Sequence, residues 1–312
     1  MTEKIVIALG GNALQARGSA PTAEAQLEVV KRTCRQIAAI SRQGYELAVV
    51  HGNGPQVGRL LLALETAADT VPPMPFDVCG AMSQGYIGYH LQQALTAELR
   101  RQGRPLPVIT VVTQVVVDRT DPAFAQPTKP IGPFYSHARA LILEKDKGWT
   151  MAEDAGRGWR RVVASPQPKR IVEIDAVRLL WDHAIVIACG GGGVPVTETA
   201  DGTLMGAAAV IDKDLAAELL AEQMEADTLL ILTEVERVAI RFGQPDQQDL
   251  SHLTVEEAAR YAEAGEFGKG SMLPKVEAAM RFAALGKRAI ITSLDQAAEA
   301  LEGKTGTVIT RE

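Results

Sequence analysis

Cysteine is scarce in this chain of 312 residues, which contains only three. Cys34, Cys79 and Cys189 lie far apart and form no Cys-x-x-Cys pair, which argues against a disulfide framework and against a structural zinc site. The five histidines show neither His-x-x-x-His spacing nor a His-Glu-x-x-His motif, so they predict no metal site. We therefore expect a protein of a reducing, cytoplasmic compartment.

Long apolar runs and basic stretches are also missing. No apolar run is long enough to span a bilayer, and the first residues lack the basic-then-apolar layout of a signal peptide, so no membrane association is expected. The formal net charge is −6, and an acidic chain without a basic stripe is repelled by phosphate backbones, which argues against nucleic-acid binding. Hydrophobic residues make up 46% of the chain, so we expect a globular protein with a sizeable core.

An alternation of apolar strands and helical stretches predicts the fold class. Lys4–Leu9 and Glu46–His51 read as strands on either side of a helical stretch from about Thr22 to Gln43. Such a unit implies a right-handed crossover and a parallel sheet covered by helices on both faces. Further strands are expected at 107–117, 184–188, 228–233, 288–292 and 306–310. The last of these is expected to close an edge of the sheet.

The pattern changes between about 120 and 168, where prolines, two tryptophans and a charged run predict a small subdomain inserted into the main fold. Within it, Gln126–Tyr135 reads QPTKPIGPFY and carries a single charge, Lys129. Proline fixes φ and removes a backbone donor, so this stretch cannot be a helix interior or a central strand. Taken alone, it is most simply a surface turn with a solvated lysine.

Three glycine-rich segments each follow a predicted strand: Leu9–Leu14, His51–Gly58 and Cys189–Val196. In open α/β sheets, ligands bind beyond the carboxyl ends of the strands. Glycine lets backbone N–H groups approach an anion, and a following helix adds the positive end of its dipole. None of the segments is a P-loop or a Gly-x-Gly-x-x-Gly fingerprint, and a tight turn would explain any one of them. The three together favour a phosphate site.

Two lysines lie at predicted helix starts. Lys213 stands between Asp212 and Asp214, and Lys275 follows Pro274. Helix N-termini favour anions, so a cation there suggests a bound anion nearby. A solvated charge at the helix start is the alternative.

Together these segments resemble the carbamate kinases of the amino-acid kinase fold family. The resemblance runs nearly the whole length of the chain. It is carried by ALGGNAL (8–14), HGNGPQVG (51–58), DVCGAMSQGYIGYH (77–90), TQVVVDRTDPAF (113–124), PTKPIGPFY (127–135), EDAGRGWRRVV (153–163), ACGGGGVPV (188–196), VIDKDLA (210–216) and GSMLPKVEA (270–278). It implies an α/β fold, an open three-layer α/β/α sandwich with a mostly parallel sheet of about eight strands and a small protruding subdomain.

The same resemblance implies a domain plan and a reaction. Residues 1–312 would form one domain, with the phosphoryl acceptor on the N-terminal half (about 1–190, including the 120–168 insertion) and the nucleotide on the C-terminal half (about 191–312). The reaction would be reversible phosphoryl transfer between ATP and carbamate, giving ADP and carbamoyl phosphate. The reaction is expected to run toward ATP synthesis in catabolism. The protein is expected to be a homodimer.

Roles for individual residues follow from the resemblance as well. Related amino-acid kinases have a catalytic lysine at the position of Ala8, and in carbamate kinases the lysine of the PTKP segment, here Lys129, would replace it. Lys213 and Lys275 would stabilise the β- and γ-phosphate oxygens, while Asp214 orients the lysines. Carbamate has no proton that must be removed, so no general base is expected.

The remaining expectations concern binding. Carbamate and the phosphoryl oxygens would be held by Gly10, Gly11, Asn12, Gly52, Asn53 and Gly54. The nucleotide would be held by Thr233, Glu234, Val235, Met272 and Pro274. Mg²⁺ is the implied cofactor, and the nucleotide phosphates rather than protein side chains would carry most of its coordination.

Some residues depart from the family pattern, and two other functions stay open. His137 and Arg139 stand where a more acidic run is expected, and Ala164 stands where proline is expected. A kinase of the same fold could act on N-acetylglutamate or a nucleoside monophosphate, but Ala8 and the PTKP segment argue against it. A non-catalytic nucleotide sensor is the other alternative, and the presence of all three lysines with Asp214 argues against that.

Overall fold

The computed structural model describes residues 2–16, 18–154, 156–268 and 270–312. These residues form seventeen strands and nine α-helices. The strands are Lys4–Leu9 (β1), Glu46–His51 (β2), Val108–Thr110 (β3), Gln114–Val117 (β4), Lys129–Tyr135 (β5), Thr150–Glu153 (β6), Trp159–Val163 (β7), Pro168–Ile171 (β8), Ile185–Ile187 (β9), Val194–Glu198 (β10), Leu204–Gly206 (β11), Thr228–Thr233 (β12), Val238–Ile240 (β13), Gln248–Leu250 (β14), His252–Thr254 (β15), Arg288–Ser293 (β16) and Thr307–Thr310 (β17). The helices are Ala23–Arg42 (α1), Gly54–Thr66 (α2), Phe76–Arg101 (α3), His137–Lys147 (α4), Ile174–Trp181 (α5), Lys213–Gln223 (α6), Val255–Glu263 (α7), Met272–Ala284 (α8) and Ala297–Leu301 (α9). None of the helices in these ranges is long and apolar enough to cross a membrane.

Eight strands form the central sheet, in the order β15-β17-β16-β12-β1-β2-β9-β3. Neighbouring strands run parallel except β16 and β17, which are antiparallel. The predicted fold class, with a mostly parallel sheet of about eight strands, is therefore confirmed. The predicted strands β1, β2 and β12 have the bounds expected from the sequence.

The centre of the sheet is buried on both faces. Successive side chains of a strand point to opposite faces, so alternate residues of β1 enter two different apolar cores. Ile5, Ile7 and Leu9 pack with residues of α1 and α3, whereas Val6 and Ala8 pack with residues of α6 and α8. This double burial explains the uninterrupted apolar run KIVIAL, and it produces the layers helix, sheet, helix.

The prediction of one strand over 107–117 is wrong. β3 is the edge of the main sheet, whereas β4 belongs to a second sheet with the order β11-β10-β4-β8. Between them the backbone N–H of Thr113 donates to the side-chain oxygen of Gln84 at 2.8 Å, and the carbonyl of Thr113 accepts from the N–H of Val194 at 2.8 Å. A side chain of α3 thus takes the place of a strand partner, which an apolar sequence run cannot reveal.

The position expected for the C-terminal strand is also wrong. β17 lies inside the sheet between β16 and β15, so β15 forms the edge. β15 is only three residues long, too short to show a periodicity in the sequence.

A small three-stranded sheet, β5-β7-β6, and helix α4 lie within the range predicted as an insertion. The proline-rich stretch is not a surface turn: it contributes the edge strand β5, a position that tolerates proline. A Cβ on Gly58 of α2 would be 3.1 Å from the Cα of Gly132 in β5, so the two backbones touch. His137 stacks on Trp159 with ring centroids 4.7 Å apart. The division of the chain into acceptor and nucleotide halves stays a prediction.

Candidate active site

The carboxyl ends of four neighbouring strands align at one edge of the sheet. Leu9 pairs with both His51 and Leu232, and Thr233 pairs with Ser293. The first and second glycine-rich segments follow β1 and β2 directly, so both begin at this edge. Ligands of open α/β folds bind at this place.

A cleft of ≈ 680 Å³ opens at this edge. Its lining includes eight of the residues predicted for phosphate or nucleotide contact, namely Gly10, Gly11, Asn12, Thr233, Glu234, Val235, Met272 and Lys275. The side-chain amide of Asn12 donates to the carboxylate of Glu234, which links the first glycine segment to the end of β12. Pro274 lies in the first turn of α8 and is not among the described residues that line the cleft.

Several lining residues were missed in the sequence. Ser293 ends β16 and Leu294 and Asp295 follow it, so the rule applied to the other strand ends would have identified them. Arg32 reaches the cleft from α1, and Phe242 comes from the segment after β13. These two gave no sequence signal, because neither lies beside a glycine segment or at a predicted strand end.

Beside the cleft, a buried carboxylate holds two lysines. Asp214, in the first turn of α6, is 2% exposed. Its Oδ2 lies 3.0 Å from Nζ of Lys275, and its Oδ1 pairs with Nζ of Lys213. Lys275 also lines the cleft, so this side chain joins the ion cluster to the cleft.

The electrostatics of this cluster favour a bound anion. Burial raises the pKa of Asp214, but the ammonium groups of Lys213 and Lys275 outweigh it and hold the pKa below its usual value. Asp214 is therefore ionised at neutral pH. Burial lowers the pKa of Lys213, Asp214 opposes that effect, and Lys275 adds to it. An anionic ligand beside Lys213 would relieve this, because opposite charge favours the protonated lysine.

Lys129 reaches the same helix start from the small sheet. Its Nζ lies 2.8 Å from Oδ2 of Asp212, the residue that caps the N-terminus of α6. The other oxygen of Asp212 accepts the backbone N–H of Asp214 at 2.9 Å. Lys129 is thus placed next to the Lys213–Asp214 pair, although 83 positions separate it from Asp212 in the chain. Three lysines share two aspartates here.

The second glycine segment lies against this cluster. A Cβ on Gly52 would be 3.5 Å from Cδ of Lys213. Asn53 donates from its side chain to Oγ of Ser83 at 2.8 Å, and Gly54 begins α2. Backbone N–H groups at the start of this helix carry partial positive charge.

The third glycine segment supports the second. Gly190–Gly193 are all buried, and a Cβ on Gly191 would be 2.1 Å from the amide nitrogen of Asn53. Gly191 has φ of 69°, a conformation that favours glycine. This segment therefore has a packing role, in which glycine allows Asn53 to approach, and its phosphate role stays a prediction.

His51, at the end of β2, is a neutral histidine inside the protein. Its Nδ1 lies 2.8 Å from the carbonyl of Gly52 and must donate to it, since a carbonyl only accepts. Its Nε2 is buried and has no hydrogen-bond partner among the described residues. Burial lowers the pKa of His51 to about 4, with the bond to Gly52 opposing the shift and Lys213 adding to it.

We expect His51 to make the protein less stable as the pH falls from 6.5 toward 4. Below its usual pKa of 6.5 the unfolded histidine binds a proton, whereas the folded one stays neutral down to about 4. Each pH unit in this window lowers the free energy of unfolding by about 1.4 kcal/mol, or about 3 kcal/mol in all. Urea unfolding of the wild type and of His51→Asn at several pH values measures the difference. The exposed His183→Asn is the control, and equal pH slopes in wild type and His51→Asn would contradict the expectation.

The two carboxylates of the ion cluster are engaged by lysines, whereas Glu234, Glu266 and Asp295 line the cleft itself. Asp212 and Asp214, which lie nearest the cleft lysines, are already paired with Lys129, Lys213 and Lys275. Within the described ranges, no group of three or more His, Cys, Asp or Glu side chains is arranged to hold a metal ion.

Comparison with known proteins agrees with this geometry. Residues 3–293 match the amino acid kinase family. A carbamate kinase of Thermococcus kodakarensis is 56% identical over 315 residues, covering 99% of this chain and 100% of that protein. A carbamate kinase of Clostridium perfringens is 54% identical over 314 residues, covering 99% and 100%. The structure of a carbamate kinase from Giardia lamblia bound to AMP-PNP superposes with a TM-score of 0.93 at 42% identity, covering 100% of this chain and 99% of that one. The chain therefore belongs to the carbamate kinases of the amino acid kinase family.

Proposed function

We propose that this protein transfers a phosphoryl group reversibly between ATP and carbamate, with ADP and carbamoyl phosphate as the other pair. The observation that carries the proposal is the ion cluster of Lys129, Asp212, Lys213, Asp214 and Lys275 beside the cleft. The carbamate kinases that it resembles over nearly their full length support the choice of acceptor.

The cleft is the place proposed for the nucleotide. Its phosphates would point toward Lys275, the one residue that both lines the cleft and belongs to the ion cluster among the described residues. Thr233, Glu234, Val235 and Met272 would contact the remainder of the nucleotide. The Giardia lamblia relative solved with AMP-PNP supports a nucleotide in this fold.

The proposed mechanism is one of positioning and charge neutralisation, as is general for phosphoryl transfer. Carbamate would lie against Gly10, Gly11, Gly52, Asn53 and Gly54, where backbone N–H groups and the start of α2 provide donors. Lys213 and Lys275 would hold the oxygens of the nucleotide phosphates, and Lys129 would contact the phosphoryl group as it is transferred. Asp214 is ionised and paired with two lysines, so its role is to orient them. Carbamate is already an anion, so no base is needed.

Mg²⁺ is proposed to enter with the nucleotide. Asp212 and Asp214 already pair with lysines, so this chain's residues fit a Mg²⁺ carried mainly by phosphate oxygens. When bound there, the ion would neutralise phosphate charge. The direction toward ATP synthesis in catabolism and the cytoplasmic location stay predictions.

A homodimer is proposed through α3 and the edge strand β3. Met82, Tyr89 and Val112 are 42%, 58% and 50% exposed on this side of the molecule. An exposed apolar face beside the edge strand of a sheet suits a self-complementary contact between two copies. Analytical ultracentrifugation measures the mass in solution. We expect a mass near twice 33.3 kDa for the wild type and near 33.3 kDa for Tyr89→Lys.

The test of the proposed function is ATP formation by the purified protein from ADP, Mg²⁺ and carbamoyl phosphate. Acetyl phosphate is the control donor, and we expect ATP to form much faster with carbamoyl phosphate. If no ATP forms while calorimetry shows ADP binding, the kinase assignment is wrong and a nucleotide sensor is favoured. Rapid ATP formation from acetyl phosphate instead would favour another acid acceptor.

A further inference from the structure

We propose that Asp212 is a positioning residue that holds Lys129 at the start of α6, so that the lysine of the small sheet and the Lys213–Asp214 pair are placed together. This inference rests on the proposed function, because it concerns how that site is assembled. Asp212 itself would not touch the transferred group.

The two oxygens of Asp212 have different tasks. Oδ1 accepts the N–H of Asp214 at 2.9 Å and caps α6, whereas Oδ2 lies 2.8 Å from Nζ of Lys129. Helix capping needs only one acceptor oxygen, and asparagine or serine would serve as well. The second oxygen and the negative charge are therefore left for Lys129. Among the described residues, no other carboxylate forms an ion pair with Lys129.

The backbone that carries Asp212 is fixed on two sides. The N–H of Val210 donates to the carbonyl of Ala164 at 2.9 Å, which ties the segment to the end of the small sheet. A Cβ on Gly192 would be 2.2 Å from the carbonyl oxygen of Ile211, so the third glycine segment also packs against it. Ala164 stands where proline is expected, and the contact needs only the backbone carbonyl of this residue, which either residue would provide. Asp212 is thus a firm anchor for a lysine whose side chain is 36% exposed.

The negative charge of Asp212 offsets part of the positive charge of the three lysines. Lys129, Lys213 and Lys275 carry three positive charges, and without Asp212 only the carboxylate of Asp214 would stand among them. Like charges placed close together repel, and a long exposed lysine loses much rotamer freedom when it is held in one place. Asp212 holds Lys129 in place before substrate arrives, and such preorganisation raises the rate of the bound reaction.

The substitution Asp212→Asn keeps an oxygen that can cap α6 but removes the negative charge that pairs with Lys129. Asparagine caps a helix as well as aspartate, so the melting temperature should change little. We expect kcat for ATP formation to fall about 10- to 100-fold, as for other lost positioning contacts, with KM for ADP within about 2-fold of wild type, since Asp212 does not line the cleft. Asp212→Ala should lose about the same activity and, in addition, melt at a lower temperature. The exposed Asp69→Asn is the matched control and should leave kcat unchanged.

A double-mutant cycle with Lys129→Met tests the connection. If Asp212 acts through Lys129, Asp212→Asn should lower kcat less than about 2-fold in the Lys129→Met background. Losses that multiply in the double variant would overturn the proposal. So would a kcat in Asp212→Asn equal to that of wild type.

A second measurement does not depend on turnover. In brief acetylation followed by mass spectrometry, the amine of Lys129 should react at least about 3-fold faster in Asp212→Asn than in wild type, because a paired amine is shielded. The exposed Lys145 on α4 is the internal reference and should not change. Unchanged labelling of Lys129 would overturn the proposal. If wild type makes no ATP, the proposed function fails, yet the labelling still decides whether Asp212 holds Lys129.

Discussion

Replacing Lys213 by alanine is expected to lower ATP formation from ADP and carbamoyl phosphate by about 10³-fold while the protein stays folded. Loss of one preorganised donor to developing charge typically costs this much in rate. The side chain of Lys213 is 14% exposed and paired with Asp214, so its charge lies in a largely buried site. Phosphate oxygens would then face one cation fewer in a partly buried site, where charges interact strongly.

The fold should survive this change because Asp214 keeps a partner. Removing one member of a buried ion pair usually leaves an uncompensated charge and costs several kcal/mol. Here the ammonium group of Lys275 remains 3.0 Å from Asp214 after Lys213 is lost. Asp214→Ala is the informative contrast, since it leaves both lysines without this carboxylate and should lower the melting temperature more than Lys213→Ala does.

The measurement combines the coupled ATP assay with thermal melting and calorimetric binding of ADP. Lys304→Ala is the control, because the side chain of Lys304 is 69% exposed and does not line the cleft. A folded Lys213→Ala protein with full turnover would show that the proposed site is wrong.

Replacing Lys129 by methionine is expected to lower kcat by about 10²-fold, with little change in the KM for ADP. Ala8 is fully buried beneath α6 and offers no cation, so Lys129 is the lysine placed to supply one. A cation held in position for the transition state contributes mainly to kcat. Lys129 does not line the cleft proposed for the nucleotide, so ADP binding should persist.

The stability of Lys129→Met should stay close to that of wild type, because ion pairs as exposed as that of Lys129 contribute little. Lys145→Met, on α4 of the same small sheet unit, is the matched control and should keep wild-type kcat. If Lys129→Met also keeps wild-type kcat, the lysine of the PTKP segment does not fill the role left open by Ala8.

Local chemistry made much of this protein predictable. β1, β2 and β12 are buried on both faces, and a strand in that environment is mostly apolar. Each could therefore be recognised in the sequence as a continuous apolar run. The start of α1 was readable too, since Thr22 caps the helix by accepting the N–H of Ala25. Parallel strands end at one edge of a sheet, and for that reason the three glycine segments were predicted to share an edge, which the structure shows for the first two.

Motif resemblance, rather than local pattern, indicated which lysines belong together. Nothing in the spacing of Lys129, Lys213 and Lys275 requires them to meet, because hydrophobic periodicity reports how a segment is buried and not what it lies against. The family pattern supplied the set, and the structure supplied the partner of Lys129, which is Asp212. Asp212 was visible only as a flanking residue in the sequence.

The sequence by itself determined the strands with one continuous burial pattern, the helix starts with capping residues and the glycine turns at strand ends, because each depends on neighbours a few residues away. Only the tertiary structure decided that 107–117 divides between two sheets, that β17 is an inner strand and that Arg32 faces the cleft. The same holds for the Lys275–Asp214 contact across 61 positions. These features depend on the packing of distant segments, and packing between distant segments leaves no local periodicity in a chain.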